Sequence, residues 1–146
     1  MNNPIFVAVD AMGGDNSPNK VIEGIKLHSN SSANVFYKIF GNQELIYPLI
    51  KEYNLSKKRF EIIHTNDVVE GEDTALSAAK RGKKTSLWLA IESLKNDKAQ
   101  AIISAGNTGA LFLISKLNLK MIENIDKPAL SALWPSRKSM NVVLDL

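Results

Sequence analysis

Two apolar runs of this chain break off into glycine-bearing loops, and each loop leads into a helical pattern. The first reads Val-Ala-Val-Asp-Ala-Met-Gly-Gly-Asp over residues 7–15, the second Ile-Ile-Ser-Ala-Gly-Asn-Thr-Gly-Ala over residues 102–110. A strand that turns through glycine into a helix leaves the first helical N–H groups pointing outward at the positive end of the helix dipole, where an anion is favoured. Parallel strands present their carboxyl ends on one side of a sheet, so two such units in a chain of 146 residues bring both loops to one edge.

The rest of the pattern agrees with that geometry. Residues 5–10 form a nearly continuous apolar strand, as expected of one covered on both faces, and Ser17-Pro18 offers a helix cap followed by proline at the first helical position, with the helix running to about residue 29. A second strand spans residues 35–40 and ends at Gly41; Asn42 then caps a helix carrying Leu45, Ile46, Leu49 and Ile50, which Pro48 is expected to kink. Residues 60–65 read as a third strand. Asp73 or Thr74 starts a short helix, and Thr85 or Ser86 a longer one with Leu87, Leu89, Ala90, Ile91 and Leu94. The fourth strand, 101–104, leads into a helix over 109–119 whose Leu111, Leu113, Ile114 and Leu117 suit packing on a sheet.

Two final strands, 129–133 and 141–146, form a hairpin-like exception to the alternation. Strands and helices alternating at this spacing predict a three-layer α/β/α, Rossmann-like fold with a mainly parallel sheet. With no repeat or linker in view, residues 1–146 read as one domain. Because Leu144-Asp145-Leu146 stops inside an apolar strand without a covering helix, a parallel strand left at a sheet edge is expected there, and the chain reads as the front of a longer protein.

Composition narrows the functions. An apolar fraction of 45% beside 23% charged residues excludes a disordered or collagen-like chain. Eighteen basic against fifteen acidic residues is a mild excess that favours anionic partners without implying nucleic acid. The lack of cysteine removes disulfides, thiolate zinc sites and a Cys nucleophile, and fits a cytoplasmic protein. No apolar run reaches the roughly 18 residues that cross a bilayer, and the first strand begins by Ile5 without a leader, so neither spanning nor export is expected; peripheral membrane contact stays open.

Asp10, Ser104 and Asp145 are expected to gather at the carboxyl edge of the sheet. Gly13 and Gly14 permit a tight turn and close approach to a ligand, between the carboxylates of Asp10 and Asp15, which could orient a basic residue, hold Mg²⁺ or merely cap residues 16–20. The loop matches neither the Gly-x-Gly-x-x-Gly nor the Walker pattern, and a plain strand-to-helix turn is its competing reading. In the second loop Asn107 or Thr108 caps the helix while N–H groups near Thr108, Gly109 and Ala110 face outward; a phosphate or developing oxyanion fits there, and so does simple close packing of the glycines. Lys80, Arg81, Lys83 and Lys84 surround Gly82 just before Thr85 and Ser86, as a solvated surface or an anion site. His28 and His64 lack triad or metal spacing and read as structural, with no metal site expected; Trp88 and Trp134 read as core or interface aromatics.

At Val9-Asp-Ala-Met-Gly-Gly-Asp15, the basic-serine segment 81–86 and Ser104-Ala-Gly-Asn-Thr-Gly-Ala110, the sequence resembles the bacterial phosphate acyltransferases of phospholipid synthesis, the PlsX family. Pro128-Ala-Leu130 and Val142-Val-Leu-Asp-Leu146 also resemble family text. The resemblance covers the whole chain but only the front part of the family. It implies an isopropylmalate dehydrogenase-like fold and an enzyme that moves a fatty acyl group from acyl carrier protein to inorganic phosphate, without a cofactor, as a homodimer at full length. By that resemblance Gly106, Asn107, Thr108 and Gly109 cradle phosphate or the carbonyl oxygen, with Asn107 and Thr108 as the catalytic pair. Gly13, Gly14 and Asp15 shape the opposite wall, and Asp10 and Ser104 are expected among the residues that bind substrate or phosphate. Lys83, Lys84 and Ser86 are candidates for phosphate or phosphopantetheine, and the basic surface for docking the acidic carrier. The competing readings are a non-catalytic interaction module of the same fold and a related phosphotransacetylase- or dehydrogenase-like enzyme.

Overall fold

The computed structural model describes residues 3–32 and 34–144. Four strands, β1 (Ile5–Asp10), β2 (Val35–Gly41), β3 (Phe60–His64) and β4 (Ala101–Ser104), form one sheet in the order β3-β2-β1-β4. All three ladders are parallel; Val9 at the centre faces Ile39 on one side and Ile103 on the other. Five helices connect the strands: α1 (Asn19–Ser31), α2 (Gln43–Glu52), α3 (Ala75–Arg81), α4 (Ser86–Lys95) and α5 (Thr108–Asn118). The mainly parallel sheet with helices on both faces is the expected Rossmann-like arrangement.

Strand alternation divides the core into two layers. Val9, Val35, Tyr37 and Ile39 meet Ile22 and Ile25 of α1 and Ile46 and Ile50 of α2. Ala8 and Phe40 point the other way and pack with Ala90 of α4 and Ala99. Beyond the sheet, α3, α4 and α5 share a further cluster of Ala78, Leu87, Trp88, Ile91, Ala110 and Ile114. The short apolar runs of β1 and β2 are thus read from both faces, which is why they show little polar alternation.

Four helix starts follow the sequence. Asn42, Thr74, Thr85 and Asn107 each accept a hydrogen bond at the side-chain oxygen, from the N–H of Glu44, Ser77, Trp88 and Ala110 respectively, satisfying first-turn donors that the helix itself leaves open. Helix α2 carries Pro48 within a continuous run. Helix α1 departs from expectation, because Pro18 occupies the cap position and the Ser17 hydroxyl donates instead to the Gly13 carbonyl at 2.6 Å. The serine closes the preceding turn and is unavailable as a cap.

Residues at the carboxyl side form a second, two-stranded sheet of β5 (Ser131–Pro135) and β6 (Met140–Leu144), antiparallel with Leu133 opposite Val142. The hairpin expectation holds, with β5 displaced by two residues. The expected parallel edge strand does not: β6 shares no ladder with the four-stranded sheet. Its turn is too short for a parallel crossover, being closed by the Ser136 N–H on the Ser139 carbonyl at 2.9 Å. Asp145 and Leu146, placed at the sheet edge by the sequence, lie outside the described residues. Among the described residues no helix is long and apolar enough to cross a membrane.

The two sheets should respond differently to truncation. Ile39, fully buried in the central layer, changed to Ala is expected to lose about 2–5 kcal/mol in urea unfolding. Leu133→Ala on the exposed hairpin should stay within about 0.5 kcal/mol.

Candidate functional site

The chain leaves β1 toward β2 and α1, whereas it leaves β4 toward α5, on the opposite layer. The strand order therefore reverses between β1 and β4, and a crevice opens at their carboxyl ends. Both glycine loops flank it, in backbone contact. A Cβ placed on Gly13 would lie 2.9 Å from the Gly106 nitrogen and 2.6 Å from Asp10 Oδ2, and one on Gly106 would lie 3.0 Å from Gly13 Cα. Gly14 has φ +91°, and a Cβ there would meet the Ala105 carbonyl oxygen at 2.4 Å. Glycine is required here by both conformation and space.

Beneath this seam, the Ser104 hydroxyl donates to Asp10 Oδ2 at 2.8 Å and accepts from the Gly106 N–H at 3.2 Å. Asp10, 2% exposed, also accepts from the Met12 N–H through Oδ1 at 3.2 Å. The structure thus joins Asp10, Gly13, Ser104 and Gly106, and it turns the Gly106 N–H inward.

On the outer side, a cleft of about 210 Å³ is lined by Gly14, Asp15, Val69, Gly71, Ala105, Gly106 and Asn107. The N-terminus of α5 opens beside it: Thr108 and Gly109 are exposed and, as first-turn residues, carry N–H groups with no helical acceptor. The Asn107 side chain is engaged at both ends. Its Oδ1 caps Ala110 at 2.9 Å, while Nδ2 donates to the carbonyls of Gly71 at 3.0 Å and Asp73 at 2.7 Å.

Residues 69–73 form a third wall that the sequence reading did not assign to the site. The available signal was Gly71 just before the Asp73-Thr74 helix start. Asp73 anchors this wall by accepting from the Glu70 N–H at 2.9 Å and from the Ser77 hydroxyl at 3.2 Å, and by pairing with Arg81 at 2.6 Å. The Arg81 guanidinium first, then the Glu70 N–H, hold the Asp73 carboxyl below its ordinary range, against the opposing effect of desolvation.

A second hollow of about 220 Å³ starts from the same loops. Asp15 and Ala105 line both, and its apolar wall comes from Val9, Val21, Ile25 and Ile103. Ile103 remains 57% exposed, since among the described residues no helix covers that face of β4.

Lys83, Lys84 and Ser86 do not line the cleft. The two lysines are exposed, whereas Ser86 is 1% exposed and donates its N–H to the Asp67 carbonyl at 2.9 Å. The histidines have structural partners: His28 Nδ1 lies 2.6 Å from the Tyr37 hydroxyl and His64 Nδ1 accepts from the Gln43 N–H at 3.2 Å. Trp88 belongs to the α3-α4-α5 core, and Trp134 is exposed on the hairpin.

Fold and site together define an α/β protein whose topological switch point exposes first-turn backbone N–H groups at the N-terminus of α5. Residues 5–146 match the family model described as fatty acid synthesis protein, and the chain belongs to that family. It is 63% identical over its whole length to the phosphate acyltransferase of Pelagibacter ubique, of which it covers 43%. It is 42% identical to the phosphate acyltransferase of Parvibaculum lavamentivorans and 37% to that of Azorhizobium caulinodans, covering 41% of each. The chain thus spans less than half the length of these relatives.

Gly13→Ala should cost about 1–3 kcal/mol in denaturant unfolding through overpacking at the seam. Gly24→Ala in α1, with open space at its Cβ position, should instead stabilise by about 0.5–1 kcal/mol. For Asp73, a lowered folded pKa means that its contribution is complete above the unfolded value of about 4 and is lost as pH falls through the folded value. The amide NMR signal of Glu70, whose N–H the carboxylate accepts, should therefore hold steady from neutral pH to about 4 and move only below it. Movement centred well above 4 would show that Asp73 does not anchor this wall.

Proposed function

We propose that this chain supplies the phosphate-binding part of an acyl-[acyl carrier protein]:phosphate acyltransferase, which makes acyl phosphate for phospholipid synthesis. The observation that carries this reading is the meeting of the two glycine loops at the switch point, with the open N–H groups of Thr108 and Gly109 beside the cleft. A phosphate oxygen attacks the thioester carbonyl carbon, the carbonyl oxygen takes negative charge, and the C–S bond then breaks to release the carrier thiolate, which takes a proton. No enzyme nucleophile is needed, in keeping with a chain that lacks cysteine. Fixed N–H donors lower the barrier by stabilising charge on the oxygens and by holding the reactants together.

Asn107 orients the α5 N-terminus and the 69–73 wall, since its side-chain amide is already bonded to both. Thr108 presents its N–H and hydroxyl to the phosphate or oxyanion. Gly14 and Asp15 form the facing rim; the carboxylate of Asp15 drives the anion toward the positive end of α5. The apolar hollow beside Ile103 suits the acyl chain. The exposed Lys80, Lys83 and Lys84 suit an acidic carrier protein. A cytoplasmic homodimer with peripheral membrane contact belongs to the same proposal.

Two measurements test it. Inorganic phosphate titrated into the ¹⁵N-labelled chain should shift the amide signals of Thr108, Gly109 and Gly14; no shift at any of the three overturns the anion site. Asn107→Ala should weaken that binding about tenfold while costing only about 1 kcal/mol of stability through the lost cap. For the transfer itself, the full-length Pelagibacter ubique relative incubated with acyl carrier protein thioester and phosphate should yield acyl phosphate by mass spectrometry. Its absence would reject the reaction.

A further inference from the structure

We infer that Asp10 and Ser104 are a positioning pair, a latch that fixes the two loops and aims the anion site without touching the anion. The inference takes its functional meaning from the proposed phosphate site. Neither side chain lines the small cleft, although both lie at strand ends that point to it. They face each other across the β1-β4 ladder, where Asp10 and Ser104 are register partners.

The direction of each bond is set by chemistry. An ionised carboxylate only accepts, so the Ser104 hydroxyl must spend its single proton on Asp10 Oδ2, leaving its lone pairs for the Gly106 N–H. The order is Gly106 N–H to Ser104 Oγ, and Ser104 O–H to Asp10. This chain of donors removes the Gly106 amide from the cleft and fixes the Ala105–Gly106 peptide plane, one residue before Asn107. The other carboxylate oxygen takes the Met12 N–H and so fixes the β1 loop from the same group. One buried carboxylate thereby holds both loops, whose backbones pack against each other at the Gly13-Gly106 contact.

The charge sign argues for positioning over contact. A buried carboxylate behind an anion site repels the anion, so a residue acting only through its field would weaken binding, and its removal would strengthen it. A residue acting through the latch gives the opposite result, since losing it lets the N–H groups disorder.

The test uses the 146-residue chain, inorganic phosphate and four proteins: the parent, Ser104→Ala, Ser104→Thr and Asp10→Asn. Ser104→Ala should speed amide hydrogen exchange about tenfold in residues 11–16 and 104–110 while leaving the centres of β2 and α2 unchanged, and should weaken phosphate binding by a similar factor. Ser104→Thr keeps the hydroxyl and should restore both. Asp10→Asn keeps the shape but cannot accept both bonds in the same way, and should weaken phosphate binding despite removing a negative charge. Tighter binding by Asp10→Asn overturns the proposal. So does unchanged loop exchange in Ser104→Ala, or a uniform acceleration across all strands with a lower urea midpoint, which would make the pair a general stability contact. If the parent binds no phosphate, the anion-site reading fails, and loop exchange alone decides the latch.

Discussion

The site depends on a steric constraint, the backbone of one glycine loop lying directly on the backbone of another. Gly13 and Gly106 approach closely enough that a methyl group on either would collide with the other loop. Beneath that contact the β1-β4 register sets Ser104 opposite Asp10, and the Ser104-Asp10 bond in turn directs the Gly106 N–H. A single missing carbon atom at each of two positions therefore decides whether the two loops can meet.

The rest of the fold is arranged to hold those loops still. Strand β1 has neighbours on both sides and helices on both faces, so its carboxyl end is held from every direction in the sheet. Helix α5, which supplies the open N–H groups, is anchored through Ala110 and Ile114 to the same cluster that holds α3 and α4. Asn107 couples that anchor to the 69–73 wall, and Asp73 couples the wall to α3 through Arg81. Each part of the cleft thus reaches a packed helix within one or two bonds.

Much of this was legible in the sequence, for identifiable reasons. Strand positions and four of five helix starts followed from apolar runs and from Asn or Thr caps, which are local signals. Convergence of the loops at residues 13–15 and 104–109 followed from parallel topology. Other features were not legible, most of them because they depend on contacts distant in sequence. The wall at residues 69–73 is brought to Asn107 by a bond spanning more than thirty residues. Ser86 sits inside the fold because Asp67 takes its N–H. Ser17 closes a turn instead of capping α1, a choice between two local partners that spacing does not resolve. The placement of Asp10 and Ser104 at the right edge was readable; that they bond to each other was not.

The β5-β6 hairpin carries a different implication. Leu133, Trp134, Met140, Val142 and Leu144 are all more than half exposed, on strands that pair only with each other. A two-stranded ribbon in water has little cooperative reserve, and large apolar surface in solvent favours contact with any matching surface. In isolation this ribbon should melt before the four-stranded sheet and govern the colloidal behaviour of the chain, so that concentration, more than temperature, sets how long a solution stays clear.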